Sequence, residues 1–230
     1  RVFTIGPTGV GMLSAALSRP RKQLSKPIGL EESRDDIIIA GGEDQLVVLT
    51  EHGDHTLAAP SGRFSMVRAS PASPYVVALA DDRFLVWNLD EVEPRVAGTQ
   101  IATAKFVTGD DLVATTLDGP AQWINLVTGN VRELGQWPAI LDVVASPSGR
   151  FAAAVDMAHA AHLIEAGKDP IAISGTADRA GFATDSQLVL ATDDGAIDLY
   201  DVASAKRTRV HPPSGAPLVS IAWGGTDPAF

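Results

Sequence analysis

Short apolar runs, cut by Gly, Pro, Asp and Asn, recur from one end of this chain to the other. The clearest stretch is 188–206, LVLATDDGAIDLYDVASAK. It reads as an apolar run, an Asp-Asp-Gly turn, and an alternating run in which Ile197 and Leu199 share one face. Asp-Gly between two such runs marks a β-hairpin, because Gly tolerates the positive φ of a tight turn. A lone hairpin buries too little surface to stand by itself, so the pattern has to repeat. With Tyr200 as a marker, equivalent positions fall at Leu13, Leu49, Trp87, Ile124 and Ile164, at intervals of 36, 38, 37, 40 and 36 residues. The residue after the marker is polar each time: Ser14, Thr50, Asn88, Asn125, Glu165 and Asp201. A second apolar marker lies half a period upstream, at Leu30, Ala69, Phe106, Ala145 and Phe182, with Trp223 ending the series.

A period of roughly 38 residues holding several strands is how propeller blades read in a sequence. The fold class it predicts is all-β, a β-propeller of four-stranded antiparallel blades. With the strands of each unit named a to d, the first unit enters at b (2–5), turns at Pro7-Thr8-Gly9, and passes through c (10–15) to d (22–24). The next two units read as 27–30, 36–40, 45–50 and 55–58, then 65–69, 75–80, 83–88 and 95–98. The fourth reads as 103–107, 112–116, 121–125 and 131–134, and the fifth as 141–145, 151–155, 160–165 and 171–174. The sixth is 179–183, 188–192, 196–201 and 207–210, followed by one more a strand at 218–223. The first unit lacks strand a and the last segment is a strand a alone. Pairing the N- and C-terminal segments therefore gives six closed blades and removes exposed sheet edges. The alternative is a truncated seven-bladed ring, with Pro228-Ala229-Phe230 opening another b strand. No linker interrupts the period, so residues 1–230 read as a single propeller domain. A start at Arg1 in place of Met suits a piece of a longer, multidomain chain.

Composition narrows the function. The net charge of −10, from 18 basic and 28 acidic residues, argues against nucleic-acid binding, which needs clustered Lys and Arg. The absence of cysteine removes disulfides, thiolate metal sites and Cys nucleophiles. The apolar stretch 2–18 contains Gly6, Pro7, Gly9 and Gly11, which break a helix, so no membrane role is expected. The expected compartment is the cytoplasm, with the periplasm as the alternative.

Val143-Val144-Ala145-Ser146-Pro147-Ser148-Gly149-Arg150-Phe151 resembles the blade start of WD-repeat β-propellers: a hydrophobic pair, Ser-Pro-Asp-Gly-Arg, then an apolar strand. Tyr200-Asp201-Val202-Ala203-Ser204-Ala205-Lys206 and Trp87-Asn88-Leu89-Asp90 are similar to the family's Trp-Asp strand end, and Ile124-Asn125-Leu126-Val127-Thr128-Gly129 keeps its turn. The family often carries Gly-His before strand a, whose His joins an Asp in the b–c turn. Here the Asp-type position holds Glu43, Asp81, Asp118 and Asp194, but Pro7 and Ala158 in the other two units. Gly-His is absent, and His211 stands near the His position. The chain thus resembles a divergent, bacterial member.

No Gly-x-Ser-x-Gly elbow, phosphate-cradling loop or zincin helix is present in the sequence. His52 and His55 fall in a predicted c–d turn, and His159 and His162, three apart, would point to opposite faces of a strand. Both pairs read as surface or turn histidines. The paired Asp residues at 81–82, 110–111 and 193–194 lack the alternating spacing of a calcium loop and read as turn formers. Arg68 and Lys105 occupy equivalent a-strand positions and should each make a local ion pair. No metal and no cofactor is expected.

The resemblance implies a non-catalytic protein-interaction or sensing module, a scaffold or regulatory domain beside an attached effector such as a kinase, a peptidase or a signalling ATPase. The alternative is a propeller hydrolase or lactonase with carboxylates or a metal at the channel mouth. In the family, b–c turns and d–a connections share one face. Here that face gathers Glu43, Asp44, Asp81, Asp82, Asp118, Asp193 and Asp194 with Trp137 and His211. An acidic rim with an exposed Trp137 as anchor suits a basic, partly apolar protein or peptide.

Overall fold

The computed structural model describes residues 2–6, 9–14, 17–18, 27–33, 37–42, 45–50, 54–58, 63–81, 83–89, 91, 95–116 and 119–215. All regular structure among them is β, and every sheet is antiparallel and joined strand to strand in chain order. The chain divides into two compact units, Arg1–Ile101 and Ala102–Phe230.

In the first unit, β1 (Val2–Gly6), β2 (Gly9–Ser14) and β3 (Leu17–Ser18) form a three-stranded sheet. The strand expected at 22–24 lies outside the described residues, whereas Leu17–Ser18 pairs back on Ser14 and Leu13. Next come β4 (Pro27–Ser33), β5 (Ile37–Gly42), β6 (Gln45–Thr50) and β7 (Asp54–Ala58), then β8 (Phe64–Ala69), β9 (Tyr75–Ala80), β10 (Arg83–Asn88) and β11 (Arg95–Thr99). Ile39, Leu46, Val48, Phe64, Val67 and Trp87 are among the buried side chains that join these two four-stranded sheets into one core.

The second unit holds three four-stranded sheets. These are β12 (Ile101–Phe106) to β15 (Val131–Gly135) by way of β13 (Asp111–Thr116) and β14 (Ala121–Asn125); β16 (Ile140–Ala145), β17 (Phe151–Asp156), β18 (Ala160–Glu165) and β19 (Ile171–Thr176); and β20 (Arg179–Thr184), β21 (Gln187–Ala191), β22 (Ile197–Asp201) and β23 (Lys206–His211). Repeated four-stranded meanders of this kind are a propeller-like arrangement. The closing strand expected at 218–223 and the segment 228–230 lie outside the described residues.

β17 shows why the interior strands read as unbroken apolar runs. Successive side chains of a strand point to opposite faces. Phe151, Ala153 and Val155 enter the core shared with β20–β23, whereas Ala152 and Ala154 enter the core shared with β12–β15. Both faces are covered, so every residue of β17 is buried. The outer strands β19 and β23 are mostly exposed. The repeat markers are core residues: Leu49, Trp87, Ile124, Ile164 and Tyr200 are all buried. Burying a side chain of this size stabilises a fold by roughly 1.5–3 kcal/mol.

At Asn125 and Asp201 the polar residue after the marker closes the c–d turn. Asn125 Oδ1 accepts the Thr128 N–H at 2.9 Å, and Asp201 Oδ1 accepts the Ser204 N–H at 2.7 Å. Each bond holds a four-residue return that leads into the outer strand. One a–b turn in each unit closes on a serine main chain: the Ser146 N–H donates to the Phe151 carbonyl at 2.8 Å, and the Ser70 N–H to the Tyr75 carbonyl at 2.9 Å.

Ile197 and Leu199 share one face of β22, as read, and the opposite face is the buried one. On β22 it is Asp198 and Tyr200 that are buried, with Ile197 and Leu199 half-buried. Tyr200 faces the core shared with β16–β19. Asp198 is buried because two arginines, Arg207 and Arg209, close over its carboxylate.

Candidate functional site

In an antiparallel meander the b–c turn and the d–a connection leave from one end of the sheet, and the a–b and c–d turns from the other. Of the residues expected on the first end, Glu43, Asp44, Asp82 and Asp118 lie outside the described residues. Asp81 is exposed in the β9–β10 turn, at φ 52°, and accepts the Arg63 N–H at 3.1 Å. Asp194 is exposed in the β21–β22 turn. Its carboxylate is held below the ordinary range by the Thr192 hydroxyl and then by the Ala196 N–H. Gly195, at φ 82°, completes the hairpin foreseen from Asp-Gly, with its N–H on the Thr192 carbonyl. His211 is exposed at the end of β23, across from Ile197.

Trp137 is half-buried. Its ring stacks on His162 with centroids 4.0 Å apart and planes 15° off parallel, and it packs on the core between β12–β15 and β16–β19. Gly135, at φ 150°, permits this: a Cβ there would stand 2.9 Å from the indole nitrogen. His162 is itself buried, not on the surface, and its Nε2 meets Asp156 Oδ2 at 3.0 Å. Asp156 is 2% exposed, and its other oxygen accepts the N–H groups of Ala158 and Ala160 at 2.9 and 3.0 Å. Where the repeat has Ala158 in place of a turn aspartate, Asp156, two residues earlier, makes the turn's hydrogen bonds.

His159 and Asp178 form a second contact on this end. His159 Nδ1 meets Asp178 Oδ1, and Asp178 Oδ2 accepts the Asp193 N–H at 2.6 Å. Asp178 stands just before β20, near where the resemblance looks for a His, and ties two successive b–c turns together. Asp156, His162 and Asp178 were not legible as a set, although a lone His inside the apolar run AAHLIE is a signal that a polar partner is buried with it.

Lys105 makes the ion pair expected of it, with Asp142 at 3.1 Å. Asp142 also accepts the Ala180 N–H at 3.3 Å, so one carboxylate links β12, β16 and β20. Arg68 donates to the Val67 carbonyl at 2.7 Å. No group of three or more metal-ligating side chains exists among the described residues, and none of their helices is long and apolar enough to cross a membrane.

The other end of the second unit contains a cleft of about 620 Å³ between the β16–β19 and β20–β23 sheets. Its floor is Phe151, Leu163 and Val202, and its wall is Ile171, which is 54% exposed. Glu165 accepts Lys168 Nζ at 2.7 Å and Arg150 Nη2 at 3.0 Å, and these two cations, Lys168 first, hold its carboxyl below the ordinary range. Asp185 accepts the Ser148 N–H at 2.9 Å, which lowers its carboxyl likewise. The β20–β21 turn at its mouth is only Asp185-Ser186. No family model matches the chain, and a search of curated proteins returns no match.

Proposed function

We propose that the chain is a non-catalytic protein-interaction module of WD-repeat type, a divergent bacterial scaffold or sensor domain that works in the cytoplasm beside an effector. We read its four-stranded meanders as blades of a six-bladed propeller, the count that the sequence repeat favours. The working face is the end that carries the b–c turns, and the partner is a basic protein or peptide. One observation carries this reading: the turn carboxylates Asp81 and Asp194 are exposed yet fixed by hydrogen bonds, Asp81 to the Arg63 N–H ahead of β8 and Asp194 to its own turn. Rigid turns on a stable frame are where binding residues concentrate, and fixed charges of one sign speed encounter with the opposite sign. Trp137, held against His162, supports the turns and does not serve as the anchor.

The test is site-specific photo-crosslinking in cells, with the reactive group at Asp193, followed by sequencing of the captured segment. A Lys- or Arg-rich segment is expected, and capture should fall at least about tenfold in the Asp81→Lys, Asp194→Lys double variant. Undiminished capture by a double variant that melts like the parent would overturn the choice of face.

A further inference from the structure

The cleft between the β16–β19 and β20–β23 sheets is independent of the b–c face and lies at the opposite end of the strands. Its size is that of a site for two or three side chains, within the several hundred cubic ångströms usual for ligand pockets. The floor is apolar. Phe151 and Leu163 are buried at its base, Val202 and Ala203 line the far side, and Ile171 offers an aliphatic surface to solvent on the outer strand β19. Arg150 lies over the Phe151 ring at 4.9 Å from its centroid, so it adds a flat apolar edge as well as a charge.

The rim decides what such a floor would take. It carries two cations, Arg150 and Lys168, and three carboxylates, Glu165, Asp169 and Asp185. Both cations are turned onto Glu165, Arg150 through Nε at 3.2 Å and Nη2 at 3.0 Å, Lys168 through Nζ at 2.7 Å. One carboxylate therefore engages both cations, and the rim as a whole carries a net charge of −1, two positive groups against three negative. The carboxylates at the mouth are Asp169 and Asp185, beside the hydroxyls of Thr184 and Ser186. Asp185 accepts the Ser148 N–H through Oδ1, which fixes its carboxylate at the mouth. An acidic ligand would meet two carboxylates across an apolar floor, where poor solvation strengthens repulsion. A basic group would be drawn to the same place.

We infer that this cleft is a docking groove for a protein segment that presents a bulky apolar side chain next to a Lys or Arg. The apolar side chain rests on Phe151, Leu163 and Val202 against Ile171, and the cation reaches Asp169 and Asp185 at the mouth. Arg150 and Lys168 are held in the wall by Glu165, and the rim keeps a net charge of −1 toward the ligand's cation.

The probe is the tetrapeptide acetyl-Leu-Lys-Phe-Lys-amide, with acetyl-Leu-Glu-Phe-Glu-amide as its acidic counterpart, titrated into the whole chain and followed by amide NMR shifts. Saturable shifts at Ile171, Ser186 and Ala203 are expected, with a Kd below about 1 mM. The acidic peptide should bind at least about tenfold more weakly. Ile171→Lys and Asp169→Lys, both at exposed positions, should each weaken the basic peptide about tenfold while the remaining resonances keep their places. Glu133→Lys, the same change of charge at an exposed position on the outer strand β15, should leave the affinity unchanged. Equal binding of the two peptides would overturn the inference, as would shifts that do not saturate or an effect of Glu133→Lys as large as that of Asp169→Lys.

Discussion

The two ends of the β16–β19 and β20–β23 sheets use their polar residues in opposite ways. At the b–c end, carboxylates turn inward: Asp156 holds His162 and two turn N–H groups, and Asp178 holds His159 and the Asp193 N–H. Both are buried, at 2% and 8% exposure. At the a–b end, polar groups pair along the rim, as Glu165 does with Arg150 and Lys168, and an apolar floor stays open between them. An acidic turn is therefore no guide by itself to an accessible charge. Buried Asp156 and Asp178 close the structure at one end, and at the other the carboxylates stay on the rim of an open cleft.

The largest expected effect tests this contrast directly. Asp156→Ala should cost about 3 kcal/mol, because it strands a buried imidazole and two turn N–H groups at once. Asp185→Ala, which removes one half-exposed acceptor at the other end, should cost about 1 kcal/mol or less. Chemical denaturation of the two variants checks the ordering; equal losses would mean that the Asp156–His162 contact is no more structural than the rim of the cleft.

Trp137→Ala comes next, with an expected loss of about 2 kcal/mol from the stack on His162 and the packing against the core. Crosslinking at Asp193 should survive that loss whenever the variant is folded. A variant that melts like the parent but no longer captures a partner would restore Trp137 as a binding anchor and assign the b–c end a more open role.

Strand positions were legible because the repeat puts a large apolar residue, then a polar one, at the end of each c strand. The core needs the first, and the c–d turn needs the second as acceptor, as at Asn125 and Asp201. Facing was less legible. When both sides of a sheet are covered, as for β17, alternation disappears and no period-two pattern says which side chain meets which neighbour. His162 therefore read as a surface residue although Ala161 and Leu163 beside it are core. Asp198 hid for a related reason: its burial depends on Arg207 and Arg209, two residues whose own sequence context is an exposed outer strand. The cleft had no signal at all, since its lining is drawn from separate turns and strands of two sheets.

The smallest expected effect separates the two ends by titration alone. Asp194 is exposed, and the Thr192 hydroxyl, ahead of the Ala196 N–H, holds its carboxyl below the ordinary aspartate value of 3.8. A carboxyl lowered in the folded state adds stability that is present above the unfolded pKa and is lost as the pH falls through the folded one. Thr192→Val removes the hydroxyl without changing the side chain's shape. Carboxyl NMR should then show the Asp194 midpoint rising toward 3.8, while Glu165, held by Lys168 and Arg150 at the other end, keeps its own lowered midpoint. Lys168→Met should do the reverse, raising Glu165 and leaving Asp194 alone. If Thr192→Val leaves Asp194 unmoved, the main-chain N–H of Ala196 is the group that fixes the charge, and the turn would carry its carboxylate in place whatever residue stands at 192.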